Sequence, residues 1–202
     1  MVTAILAVAV VAAACGSSDS DESSEPSPSE EVRSYVGTAE GTSAFVAVVV
    51  DGSRALAYVC DGVPAEPAGS APTLEAWFNG PSDGTAVDVQ QAAGRLQLQL
   101  TATDMSGTLT LPEGVVVKVS GRAADGDAGL YRAETTGAAG TAVAGWILAP
   151  DGQQRGGFGV ESNGTTKPSG TRVLNLSQPT FTPQGLATAR ISKVGITPIP
   201  IP

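Results

Sequence analysis

Arg95-Leu96-Gln97-Leu98-Gln99-Leu100-Thr101 alternates leucine with a polar residue at every step. Successive side chains of a β-strand point to opposite faces, so this stretch builds one apolar face and one wet face. A helix would scatter the same three leucines around its circumference. Upstream, Ala44-Phe45-Val46-Ala47-Val48-Val49-Val50 is apolar at every position. It reads as a central strand covered on its outer side as well, by a loop or by the C-terminal segment. Asp51-Gly52-Ser53 follows, with turn residues that tolerate positive φ, and then a second strand runs from Arg54 to Cys60, completing a hairpin.

Working outward, similar short runs punctuated by glycine predict strands at Thr73 to Phe78, Thr85 to Val89, Arg95 to Ala102, Gly107 to Leu111, Val115 to Val119, Gly129 to Glu134, Ala142 to Leu148 and Gln153 to Val160. Helical periodicity is nearly absent; Val87 to Ala93 has room for one turn. Ten short strands at this spacing predict an all-β fold: an antiparallel meander closed as a small β-barrel, with a β-sandwich as the alternative. Closure removes exposed strand edges and is the more economical of the two. The hairpins turning at Asp51-Gly52 and at Asp151-Gly152 share a loose pattern, consistent with a pseudo-repeat set side by side or with chance. Residues 161–202 are rich in Pro, Thr and Gly, with weaker strand-like runs at Thr171 to Leu176 and Leu186 to Val194 and an extended end, Thr197 to Pro202.

The other end of the chain speaks to location. Residues 4–14 form an unbroken apolar run that closes on Ala12-Ala13-Ala14-Cys15 and opens at once into a Ser/Asp/Glu/Pro tract. The run is too short to cross a bilayer core of about 30 Å, but it has the length of a signal-peptide apolar region followed by small residues. Ala12-Ala13-Ala14-Cys15 resembles a bacterial lipobox, although alanine stands at residue 12, where leucine is commonest, and no basic residue precedes the run. The resemblance implies a signal peptide over 1–14 and a lipidated Cys15 as mature N-terminus, with fatty-acyl (palmitate-type) chains holding the protein on the extracytoplasmic face of the cell membrane. Residues 15–34 then read as an acidic flexible linker, 35–160 as the barrel-like domain and 161–202 as a partly stranded C-terminal segment.

Twenty acidic against eleven basic residues give a net charge of -9. An acidic body disfavours nucleic acid as a partner. The surplus is uneven: residues 161–202 hold one acid and four bases, Lys167, Arg172, Arg190 and Lys193, able to dock on the acidic body, to contact an anionic wall polymer or to lie free in solvent as a solvated segment. With Cys15 lipidated, Cys60 has no partner for an intrachain disulfide, and its place after Leu56-Ala57-Tyr58-Val59 predicts a buried, unreactive thiol.

The chain has no histidine, which removes the commonest general base and metal ligand along with Ser-His-Asp and Cys-His catalysis. No Ser-x-x-Lys, Gly-x-Ser-x-Gly, P-loop or dinucleotide fingerprint occurs, and no cofactor is implied. Asp51, Asp61 and Asp151 each precede glycine and read as turn caps. Asp125-Gly126-Asp127 hints at a calcium loop but has Thr136 where the bidentate Glu should stand. Glu75 beside Trp77-Phe78 reads as half of a glycosidase pair next to a sugar-stacking aromatic, with no second carboxylate identifiable in the sequence. The nine aromatics default to core filling; in a functional reading, Trp77, Tyr131 and Trp146 line the mouth of an open barrel and touch a ligand.

Val48-Val49-Val50-Asp51-Gly52, Ala57-Tyr58-Val59-Cys60-Asp61-Gly62, Trp77-Phe78-Asn79-Gly80, Gly129 to Glu134, Gly145-Trp146-Ile147 and Asp151 to Gly156 together resemble an uncharacterised β-rich domain of exported actinobacterial proteins. That resemblance implies location and architecture but no reaction. The expected function is a membrane-anchored, non-catalytic binding or scaffolding module contacting an envelope protein, glycan or lipid. The alternatives are a lipid or small-ligand carrier with a barrel cavity and a carboxylate-dependent envelope hydrolase.

Overall fold

The computed structural model describes residues 31–65, 69–138, 140–162, 165–183 and 186–195. The expectations placed on residues 1–30, Cys15 among them, and on Thr197 to Pro202 lie outside the described residues. Among those described, all regular structure is β.

Eight antiparallel strands make the larger sheet: β1 (Arg33–Ala39), β2 (Phe45–Asp51), β3 (Arg54–Cys60), β4 (Glu75–Pro81), β5 (Ala86–Gln91), β6 (Gly94–Leu100), β7 (Asp104–Thr110) and β8 (Val116–Ala123). Their order, β4-β3-β2-β1-β8-β7-β6-β5, is the chain order closed into a ring and opened between β4 and β5. A single bridge, Ser82 to Val87, pins that opening, so the meander forms a nearly closed barrel. β6 keeps the alternation read from its sequence: Leu96, Leu98 and Leu100 are buried in the barrel, while Arg95 outside is ion-paired to Asp88 of β5 at 2.7 Å. Tyr35, Phe78, Met105 and Leu109 complete a filled interior, as expected for eight strands.

The segments at Gly129–Glu134, Ala142–Leu148 and Gln153–Val160, expected within the barrel, instead build a second sheet against its outer wall. This sheet holds β9 (Gly129–Gly137), β10 (Gly140–Leu148), β11 (Gln154–Ser162), β12 (Thr165–Gly170) and β15 (Ser192–Lys193), in the order β12-β11-β10-β9-β15. A short hairpin of β13 (Thr180–Phe181) and β14 (Ala189–Arg190) lies in the C-terminal segment.

The unbroken apolar run of β2 now has its explanation. Val46, Val48 and Val50 face the barrel interior, whereas Phe45, Ala47 and Val49 face Leu130, Ile147 and Val194 of the second sheet and C-terminal segment. Each fully buried valine or isoleucine in that interlayer is worth about 1.5–3 kcal/mol. The cover is therefore mainly the second sheet, with the C-terminal segment adding Val194. The hairpins turning at Asp51-Gly52 and Asp151-Gly152 meet across this interlayer rather than edge to edge. On its far side the second sheet packs Tyr131, Ala144 and Trp146 against Leu174, Phe181 and Ile191, a third apolar layer.

Candidate binding site at the barrel mouth

The two ends of the barrel are built differently. β1 starts at one of them, and there Tyr35 fills the bore and donates its hydroxyl to the Thr101 carbonyl at 2.7 Å. Arg33 hydrogen-bonds across the same end to the Gly84 carbonyl. At the opposite end the inward positions carry small side chains, Ala39, Ala44 and Ala76, with Leu74, Ala93 and Leu111 half-buried around them. In a meander, alternate turns converge at one end. Here the β1–β2, β3–β4, β5–β6 and β7–β8 connections surround a cleft of about 590 Å³ lined by Thr42, Ser43, Asp61, Thr73, Leu111, Pro112 and Glu113 among others. The mouth thus points away from the end where the chain enters the barrel.

Asp61 is spent on structure. Its carboxylate accepts from the backbone N–H groups of Thr73 and Leu74, each at 3.0 Å, and from the Thr73 hydroxyl, closing the long β3–β4 connection on itself. Glu75, opposite Cys60 in the β3–β4 register, contributes to the cleft lining but lies on the outer-facing register of β4, beside Gly157 of β11. Tyr58 donates its hydroxyl to Glu75 Oε1 at 2.9 Å, and the Cys60 thiol is buried in the same cluster, accepting from the Gly62 N–H at 3.4 Å. Burial is the main cause that raises all three: Glu75 stands above the usual carboxyl range, the thiol is pushed up to about 12, and Tyr58 lies well above an ordinary phenol. Among the described residues no group of three His, Cys, Asp or Glu side chains is placed to hold a metal ion.

The three singled-out aromatics stand away from this mouth, and the structure brings only two of them together. Tyr131 and Trp146 are register partners on the outward face of the second sheet, both buried. Tyr131 donates to the Asp127 carbonyl at 2.6 Å and Trp146 Nε1 to the Arg172 carbonyl at 2.8 Å. Trp77 is on the other side of β10, stacked on Tyr58 with ring centroids 4.2 Å apart and the Arg132 guanidinium 5.6 Å above it. Gly145 makes that stack possible, since a Cβ there would come within 2.6 Å of the Trp77 ring. Trp77 therefore joins barrel to sheet, while Tyr131 and Trp146 join sheet to C-terminal layer. The mouth residues Thr42, Ser43 and Glu113 were not singled out by sequence; the signal that finds them is strand order, because alternate turns of a closed meander must share an end.

No protein-family model, no curated protein and no solved structure matches the chain.

Proposed function

We propose that the protein is a lipid-anchored extracytoplasmic binding or scaffolding module of the cell envelope that meets its partner at the barrel mouth. One observation carries this reading: the end of the barrel that opens into the cleft is opposite the end where β1 begins and Tyr35 fills the bore. An anchor on Cys15 followed by the acidic tract would hold the plugged end toward the membrane and present the mouth outward. The packed interior supports a surface contact over a carrier cavity, because Tyr35, Leu98 and Met105 occupy the bore that a lipid chain would need. The proposal of a bacterial, actinobacterial-type lipoprotein rests on the lipobox resemblance and on the tract that follows it.

A second reading, a carboxylate-dependent hydrolase, draws on Glu75, whose raised protonation range and place beside the cleft suit a general acid. Against it, the nearest carboxylate partner, Asp61, is consumed by Thr73 and Leu74. Photo-crosslinkers at Thr42 and Asp83, compared in cells, test the binding reading. Specific adducts from Thr42 alone are expected; identical adducts from both positions would remove the mouth as the site. Hydrolysis of an envelope polymer by the purified protein, abolished in Glu75→Gln, would establish the enzyme instead.

A further inference from the structure

The four connections around the mouth, residues 40–44, 61–74, 92–93 and 111–115, bring Glu40, Asp61 and Glu113 there and contain no lysine or arginine. The charged residues lining the cleft, Asp61, Glu75 and Glu113, are likewise all acids. Bases on the adjoining strands belong to the outer wall. Lys118 alternates with the inward Val117 and Val119, and Arg95 is paired with Asp88. Arg155 donates to the Ser43 carbonyl at 3.0 Å, with its guanidinium 4.6 Å from the centre of the outward-facing Phe45 ring. A cleft lined by one sign of charge against low-dielectric walls focuses the field and gathers counter-ions.

Below this charge the cleft is apolar. Leu74, Ala76, Ala93 and Leu111 line it, with Ala76 buried and the others half-buried against the barrel core. The rim is apolar as well: the three most exposed large hydrophobic side chains among the described residues are Val63, Val116 and Val115, at 63%, 61% and 55%. Val63 belongs to the β3–β4 connection, Val115 to the β7–β8 connection, and Val116 opens β8, so all three stand at the mouth end. Val115 is fixed there, its carbonyl accepting from the Leu111 N–H at 2.8 Å. Aliphatic side chains exposed together beside a cleft suit contact with a macromolecule, whereas a free ion or small diamine makes no use of them. A glycan would ask for an aromatic platform, and no aromatic residue lines this cleft.

Acidic groups over an apolar floor are matched by a cation on an aliphatic stem. Lysine and arginine lay the stem along apolar surface and keep the charged head in water. We propose that the mouth receives a basic, extended segment of a partner protein, with lysine or arginine stems on Leu74, Ala93 and Leu111, their charges toward Asp61 and Glu113, and apolar side chains on Val115 and Val116. The inference rests on the reading of the mouth as the partner site and supplies the partner's chemistry.

Fluorescence anisotropy of the purified full-length chain with a labelled, alternating lysine–valine hexapeptide tests it, beside glutamine–valine and glutamate–valine peptides of the same length. Saturable binding of the lysine peptide is expected, with both others weaker. Glu113→Lys should weaken that binding about fivefold or more, as loss and reversal of an exposed charge does. Val116→Ser should weaken it too. Glu31→Lys, a charge reversal just before β1 at the plugged end, should leave it unchanged. All three positions are exposed, so the fold tolerates these changes. Absence of saturable binding, equal affinity for the glutamine peptide, or equal weakening by Glu113→Lys and Glu31→Lys would each overturn the proposal. Crosslinking from Thr42 in cells separates this inference from the reading beneath it. Specific adducts that persist unchanged in Glu113→Lys would keep the mouth as the partner site and reject a basic partner; absence of specific adducts from Thr42 would reject the mouth itself.

Discussion

A carboxyl group, a phenol and a thiol share the edge of the interlayer at Glu75, Tyr58 and Cys60, where burial penalises the charged form of each. For Glu75 burial is the largest cause of its raised range, the Tyr58 hydroxyl pulls downward, and Asp61 adds a smaller upward push. A carboxyl whose folded range lies above its unfolded one stabilises the fold while protonated. That contribution is whole below about 4.5, the ordinary value, and is lost as pH rises through the folded range. Asp83, Asp88 and Asp151 act in the opposite sense, held low by the Thr85 backbone, by Arg95 and by the Gln153 backbone respectively, so the parent profile mixes both signs. A difference profile isolates Glu75. Glu75→Gln keeps an acceptor for Tyr58 and cannot ionise, so its urea midpoint relative to the parent should climb as pH rises from about 4.5 through the raised range of Glu75. A flat difference would mean that Glu75 is not desolvated in the folded protein.

The opening between β4 and β5 is the weakest join in the barrel, and its residues explain why. Ser82 to Val87 is the one backbone bridge there, helped by Ser82 Oγ donating to the Ala86 carbonyl at 3.0 Å and Gln91 Nε2 to Asn79 Oδ1 at 3.0 Å. Gly80 lets the strands close in, since a Cβ would come within 2.6 Å of Val89 Cγ2, a branched side chain with little freedom to yield. Gly80→Ala should destabilise the protein by about 1–3 kcal/mol, as overpacking does. It should also speed amide exchange in β4 and β5 ahead of β1 and β2, and uniform exchange across the barrel would contradict a local opening. The same seam marks where sequence reading stopped short. Asn79-Gly80-Pro81 looks like a turn, yet it continues β4, because an edge strand does not need the N–H that proline lacks. Thr73 and Leu74 look like strand but are held in the connection by Asp61. β6 was legible because only one of its faces is buried. β1 was not, because Arg33-Ser34-Tyr35-Val36-Gly37-Thr38-Ala39 shows neither alternation nor an apolar run, and it is a strand through its pairing on both edges with β2 and β8.

At the scale of the whole molecule, the chain's local patterns identify hairpins but not the layer each joins. Nothing in Gly145-Trp146-Ile147 distinguishes a barrel strand from a strand laid over the barrel; the choice is made by complementary surfaces, with Gly145 receiving Trp77 and Ile147 meeting the outer face of β2. The β3–β4 connection then ties the layers near the mouth: Gly156 N–H donates to the Gly62 carbonyl at 2.9 Å, and Thr171 Oγ1 to the Val63 carbonyl at 2.9 Å. The second sheet and the C-terminal segment are thereby tied to the barrel through the connection that follows β3, while the mouth itself is lined by barrel residues. On the proposed anchoring, 17 residues separate Cys15 from Arg33. A polar coil of that length has a root-mean-square span of about 23 Å, which keeps the plugged end near the bilayer. Single cysteines introduced as Glu113→Cys at the mouth and Asp83→Cys at the plugged end report this arrangement. The background is clean, because an acylated Cys15 cannot react and the Cys60 thiol, buried and pushed up to about 12 against an ordinary 9.0, holds about a thousandfold less thiolate. In spheroplasts a bulky polymer-linked maleimide should label the mouth position several-fold faster than the plugged position. Detergent extraction, or Cys15→Ala, should erase that ratio. Equal labelling of the two positions on intact membranes would show that the barrel is not held mouth-outward. Loss of the Cys60 background protection would show that the interlayer is open.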